Sequence, residues 1–180
     1  PQGGGPVRAA GPIKEYPNAK RVALPPPGPL GDVTVHDAIQ RRRSHRAFKD
    51  RPLTQQELSN LLHYAAGITA PQMGPQGFRA APSAGALYPI EIYPVVRAVQ
   101  DLQPGLYHYH VLDHSLELVA AGEFNDRLAD ACLGQRWLAR APVAFPLTAV
   151  FERTTAKYGD RGERYVVLDC AHIGENIYLA

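Results

Sequence analysis

Apolar residues recur along this chain in several different rhythms, and each change of rhythm marks an element. Val35, Ala38 and Ile39 fall at helical spacing and predict a short helix that runs into the basic segment RRRSHR, Arg41 to Arg46. Thr54 and Glu57 form a capping-box pair ahead of Leu58, Leu61, Leu62 and Ala65, which share one helical face until Gly67 ends it. Between residues 68 and 85 the periodicity is lost, and Pro71, Gly74, Pro75, Gly77, Pro82 and Gly85 predict a long irregular loop. Loops of that length in a compact domain are usually functional. Strand patterns follow over residues 90–99, 105–111 and 115–119, the last two joined by a turn at Asp113-His114. Helical spacing resumes at Phe124, Leu128, Ala131 and Cys132. A buried strand is expected over residues 143–151, with Pro146 marking an edge or a bulge. Residues 161–180 read as a closing helix with Tyr165, Leu168, His172 and Ile173 in one stripe. No internal repeat is present, and helices mixed with hairpin-linked strands indicate an α+β fold.

The first 31 residues carry eight of the seventeen prolines, so residues 1–31 are expected to form an extended, surface-lying arm ahead of one domain over residues 32–180. A chain of 180 residues is long enough to bury one substantial core. The net charge of +2 is too small to gather nucleic acid. Cys132 and Cys170 have no CxxC or Cys/His spacing and read as reduced, which fits a cytoplasmic location. Neither a run of about 18 apolar residues, the length a membrane span needs, nor a hydrophobic leader is seen. The chain begins at a proline and stops at Leu179-Ala180 inside the closing helix, so both ends read as cut or processed.

Three segments could carry chemistry. In RRRSHR, arginines and a serine at a helix boundary bring forked guanidinium donors and a hydroxyl within reach of one anion, a phosphate monoester above all; the alternative is a solvated basic face. In RAAPSAGALYPIE, residues 79–91, small side chains leave the backbone bare, so that a flat ring could lie against peptide groups. The alternative there is an ordinary loop leading into a strand. In KYGDRGERY, residues 157–165, a lysine beside a tyrosine could serve in proton abstraction, or the segment could be a salt-linked surface turn. His108 and His110 alternate on one strand face, but no third metal ligand is evident, so no metal is expected and partly exposed strand histidines are the default reading. No Ser-His-Asp spacing, P-loop or GxGxxG occurs.

In their order and separation, RRRSHRAF, PSAGALYPIE and KYGDRGERY, with the hairpin GLYHYHVLDHSLELV between them, resemble the SagB/ThcOx-type azoline dehydrogenases of the nitroreductase superfamily. The resemblance runs from about Val35 to Ala180. It implies a nitroreductase-like fold, a central and mostly antiparallel sheet flanked by helices, in a homodimer that holds FMN between its subunits. It places Arg42, Arg43, Ser44 and Arg46 at the FMN phosphate and ribityl chain, and Pro82, Ser83, Ala84, Gly85 and Ala86 along the isoalloxazine ring. It makes Lys157 and Tyr158 the pair that assists proton removal while hydride passes to flavin. General nitroreductases tend to have asparagine where this chain has Ala86, a departure that favours the azoline branch over an NAD(P)H-dependent nitro or quinone reductase. Family members usually continue past GENIYLA into a Gly-rich segment, so the chain is expected to be truncated at its C-terminus. A flavin-free family member acting as a scaffold is the remaining alternative.

Overall fold

The computed structural model describes residues 11–74 and 76–180. Its strands are β1 (Lys20–Ala23), β2 (Ile68–Ala70), β3 (Phe78–Arg79), β4 (Ile90–Ile92), β5 (Val95–Val96), β6 (Gly105–His110), β7 (Ser115–Ala121), β8 (Val143–Ala144) and β9 (Leu147–Ala149). Its helices are α1 (Val35–Arg41), α2 (Gln55–Ala66), α3 (Asn125–Ala131), α4 (Glu152–Tyr158) and α5 (Arg161–Leu179). The main sheet has the order β1-β7-β6-β5-β8, and β4 pairs with β9 beside it; every pair of named strands is antiparallel.

Prolines divide what the sequence pattern gives as two longer strands. Pro94 separates β4 from β5, and Pro146 separates β8 from β9, because neither ring can donate to a ladder. Their carbonyls still serve as acceptors: Tyr93 N–H donates to Pro146 O at 2.9 Å and Tyr107 N–H donates to Pro94 O at 2.9 Å. The expected strand over residues 143–151 is therefore shorter, and its last residues open α4 instead.

Helix α2 forms where the capping box predicts it. Thr54 Oγ1 accepts from Glu57 N–H while Glu57 reaches back to Thr54 N–H, and Gly67 caps the other end. Leu58 and Leu62 are wholly buried against Tyr107, Tyr109 and Leu116 of the sheet, and α5 packs alongside. Each such leucine contributes about 1.5–3 kcal/mol by leaving water.

The opposite face of the sheet is buried but polar. His108 and His110 are only 1% and 3% exposed, which corrects the expectation of partly exposed strand histidines. His108 lies between two carboxylates, Nε2 to Glu91 Oε2 and Nδ1 to Glu117 Oε2, each at 2.8 Å. Tyr16 and Tyr93 cover its ring, with centroids 5.3 and 5.1 Å away. The chain N-terminal to α1 thus contributes a sheet strand, β1, and a covering tyrosine. The β6–β7 turn occupies the four residues 111–114, twice the expected span, and His114 takes a φ of 47° there.

Candidate functional site

Helix α5 is the wall along which the site is built. At its middle, the buried Asp169 accepts a hydrogen bond from Ser83 Oγ at 2.5 Å and a longer one from Ala84 N–H at 3.4 Å. Ser83 Oγ in turn accepts from Tyr88 N–H at 2.9 Å. These bonds fold residues 83–88 into a tight crest in which Gly85, Ala86 and Tyr88 have φ of 66°, 54° and 45°. Left-handed backbone at two non-glycine residues is strain of the kind that persists only where the surroundings over-determine it.

The second and third segments singled out in the sequence meet at this crest. A Cβ on Gly85 would lie 2.7 Å from Tyr158 Oη and 2.9 Å from Lys157 Nζ. Successive helical residues point about 100° apart, and the crest sits between the two side chains at the end of α4. The tyrosine ring is steadied edge-on by Tyr165, 5.1 Å away at 89°. Lys157 and Tyr158 close helix α4, capped by Gly159 at φ 58°, where the alternative reading of the segment had a salt-linked surface turn. Lys157 and Gly85 are exposed, so the pair and the crest face solvent together.

At the C-terminal end of α5 lies the Arg/Ser segment. From Asp169 to Tyr178 is nine residues, about 13 Å along the axis at 1.5 Å per residue. Arg42 stacks over the Tyr178 ring at 5.8 Å, and Arg46 over Trp137 at 5.7 Å. Arg43 turns back to donate to Gln40 O and Arg42 O at 3.1 and 2.7 Å. Among the described residues none of Arg41, Arg42, Arg43 and Arg46 is paired with a carboxylate. Two open clefts flank Tyr178: one of about 570 Å³ lined by Arg41, Arg42 and Arg43, and one of about 390 Å³ lined by Ser44, Arg46 and Trp137. Both fall within the range of roughly 300–1,000 Å³ usual for small-molecule sites.

Sequence reasoning missed two residues that organise this region. Asp169 reads as a polar position inside an apolar stripe, and its neighbours fixed the stripe one position out of phase: the buried set is Gly162, Val166, Asp169 and Ile173, while Leu168 and His172 are exposed. Arg153 is buried with its Nη1 2.6 Å from Glu91 Oε1, and no local pattern connects them. Burial alone would raise the Glu91 pKa, but the His108 hydrogen bond and the Arg153 charge outweigh it and hold the carboxyl below its ordinary value. Among the described residues there is no group of three or more His, Cys, Asp or Glu able to hold a metal, and no helix long and apolar enough to cross a membrane.

The α+β fold thus has a central antiparallel sheet, an arginine cluster with no carboxylate partner among the described residues, and a strained, side-chain-poor crest beside a Lys-Tyr pair. The nitroreductase family matches residues 39–180, and the chain belongs to that family. It is 41% identical over 150 residues to a protein of Methanocaldococcus jannaschii named as a nitroreductase, covering 83% of this chain and 74% of that one. It is 33% identical over 129 residues to the trifolitoxin-processing protein TfxB of Rhizobium leguminosarum bv. trifolii, covering 67% of this chain and 35% of that one. The crystal structure of a protein of Anabaena variabilis named as a nitroreductase superposes with a TM-score of 0.76 at 27% identity, covering 96% of this chain and 36% of that one. The chain thus spans about three quarters of the first relative and about a third of the other two.

Members of this family typically bind flavin, commonly FMN. The residues present suit it at both ends. The unneutralised arginines offer what a phosphate near −2 requires. The crest presents backbone with no side chain larger than methyl at Ala84, Gly85 and Ala86, so a planar ring can approach it.

Proposed function

We propose that this chain is part of an FMN-dependent dehydrogenase that oxidises an azoline heterocycle to an azole in a modified peptide or a related small substrate. The observation that carries this reading is the approach of Lys157 Nζ and Tyr158 Oη to the crest at Gly85. Azoline oxidation removes one ring hydrogen with its electron pair and a second as a proton, so the reaction needs a base beside the electron acceptor. FMN, when bound, supplies the two-electron acceptor. Arg42, Arg43, Ser44 and Arg46 would hold its phosphate and ribityl chain, and Pro82 through Ala86 would lie along its ring. The Lys157–Tyr158 pair takes the proton, either at a Tyr158 phenolate beside the Lys157 ammonium or at a neutral Lys157 amine, which becomes ammonium, with the Tyr158 hydroxyl beside it. The relative named for processing trifolitoxin supports a substrate of this kind.

The same reading makes the working unit a homodimer with FMN between subunits. Its support is the apolar surface on α1 and the mid-section of α5, where Val35 and Ile39 are 72% and 58% exposed and Val167 and Leu168 are 65% and 56% exposed. Monomeric soluble proteins rarely leave contiguous apolar patches in water.

A second reading, an NAD(P)H-dependent nitro or quinone reductase, is favoured by the names of the Methanocaldococcus and Anabaena relatives. Protein reconstituted with FMN separates the two. The dehydrogenase reading expects an azoline-bearing peptide to lose two mass units in the presence of oxygen and expects slow oxidation of NAD(P)H. Rapid NAD(P)H oxidation with a nitroaromatic, and no change in the peptide, would establish the reductase.

A further inference from the structure

We propose that Arg153 is the positioning residue of this site, the pin that fixes helix α4, and with it Lys157 and Tyr158, against the crest at Gly85. The proposal rests on the reading above only in taking that pair as the proton-handling groups.

Arg153 stands in the first turn of α4, four residues before Lys157, while its guanidinium points into the protein and its side chain is 4% exposed. Each of its contacts belongs to a different segment. Nη1 donates to Tyr88 O at 3.0 Å, where the crest ends, and lies 2.6 Å from Glu91 Oε1 on β4. Nε donates to Gly11 O at 2.8 Å, in the segment that leads to the covering Tyr16. The planar fork of an arginine can hold such partners at fixed angles, which a lysine cannot. Seven residues of helix with no N-terminal side-chain cap cannot fix their own position, so this buried anchor sets where α4 lies.

Glu91 is itself held in place. Its second oxygen, Oε2, receives His108 Nε2, and the far ring nitrogen of His108 meets Glu117, which pairs with Arg21 at 2.8 Å. Each ring nitrogen of His108 thus faces a carboxylate oxygen, so the imidazole links the two carboxylates. Basic and acidic side chains alternate from Arg153 to Arg21, with β4 of its two-stranded sheet and β6, β7 and β1 of the main sheet supplying one member each. A buried arrangement of this kind has little tolerance for partial occupancy, because removing one member leaves its neighbour charged and unpaired. The sheet therefore supplies a rigid reference for Arg153, and Arg153 transfers it to the crest and to α4 at once.

The test compares Arg153→Met, Arg153→Lys and the double variant Arg153→Met/Glu91→Gln, the last of which leaves no unpaired buried carboxylate at this point. Amide hydrogen exchange is measured with and without FMN, so one readout is independent of turnover. The proposal expects faster exchange in residues 83–88 and 152–158 in the Met variants, with α2 and the β6–β7 hairpin as protected as in wild type. Misplacement of about 1 Å costs up to about 100-fold in rate. In flavin-saturated protein, kcat for azoline oxidation should therefore fall at least about tenfold with KM within about twofold, and Arg153→Lys should recover part of it. If Arg153→Met does not fold, the double variant is read in its place. Uniformly faster exchange in every element, or local protection and kcat equal to wild type in the double variant, would overturn the proposal. Wild-type protein that leaves azolines untouched would refute the dehydrogenase reading alone, and the exchange pattern would still decide the role of Arg153.

Discussion

The middle of helix α5 and its C-terminal end carry two regions built on opposite principles. Around Asp169 the groups are tied to one another: Ser83 to Asp169, Tyr88 to Ser83, Gly85 against Tyr158 and Lys157. Around Tyr178, Arg41, Arg43 and Arg46 are exposed and Arg42 is half-buried; Arg42 and Arg46 stack on aromatic rings, Arg43 folds onto its own backbone, and none has an acidic partner among the described residues. One region is held by its own hydrogen bonds, and the other keeps its guanidinium groups clear of carboxylates among the described residues. The difference matches the work proposed for each. Proton transfer requires groups held within a few tenths of an ångström, whereas phosphate binding requires uncompensated charge that can close on its guest.

The largest expected effect strikes the hydrogen-bonded region. Lys157→Ala and Tyr158→Phe should each lower azoline turnover by about 10²–10⁴-fold, the usual contribution of a positioned acid or base, while FMN content measured by absorbance stays at the wild-type level. If either variant lost its flavin instead, the division between the two regions would collapse.

The next effect falls on the arginine region. Arg42→Ala and Arg46→Ala should each weaken FMN about tenfold, since a charge-assisted hydrogen bond contributes about 1.5–3 kcal/mol and these groups are partly screened by water. Fluorescence titration should show the weakening, and kcat at saturating FMN should be unchanged. Raising the salt concentration should reproduce part of the loss in wild type and less of it in the variants.

Gly85→Ala tests the join at the crest. Alanine in left-handed backbone costs about 1–2 kcal/mol, and its methyl would stand 2.7 Å from Tyr158 Oη. Thermal melting should fall by several degrees, and turnover should drop further than FMN affinity does.

The smallest effect concerns neither region and serves as a control. Burial holds His63 and His114 below the ordinary imidazole value of 6.5, and the nearby His63 charge lowers His114 further. His114 Nδ1 and Nε2 meet Tyr109 Oη and Ser59 Oγ at 2.8 and 2.7 Å, joining the β6–β7 turn to α2. Because the folded rings bind protons more weakly than the unfolded ones, this contribution is complete above pH 6.5 and is lost as pH falls through the lowered folded values. Melting temperature followed over about pH 8 to 5 should decline on the acid side, and His114→Gln should flatten the decline without altering flavin binding.

How far the sequence disclosed this arrangement depended on whether a signal was local. Helix α2 was legible because Thr54, Glu57 and Gly67 mark its ends directly. The residues of both ends of the site were visible as segments, yet nothing in them indicated that Lys157 and Tyr158 would reach Gly85 across some seventy positions. The α5 stripe came out one position wrong because a buried carboxylate, Asp169, occupies a core position that hydrophobic periodicity assigns to apolar residues. Strand β1 was hidden by Lys20 and Arg21, whose charges suit an edge strand but mask its pattern. The chain from Arg153 through Glu91 and His108 to Glu117 joins residues 9 to 62 positions apart, and only the packing of α4 and β4 against the β6–β7 pair brings them together.

The most direct test is a single half-reaction. FMN-loaded wild-type protein and the Lys157→Ala/Tyr158→Phe double variant are mixed without oxygen with an azoline-bearing peptide, and the visible flavin absorbance is followed in a stopped flow. The preorganised Lys-Tyr pair predicts that the flavin band bleaches in step with azole formation in wild type and stays unbleached, with FMN still bound, in the double variant. Bleaching at the same rate in both proteins would contradict it.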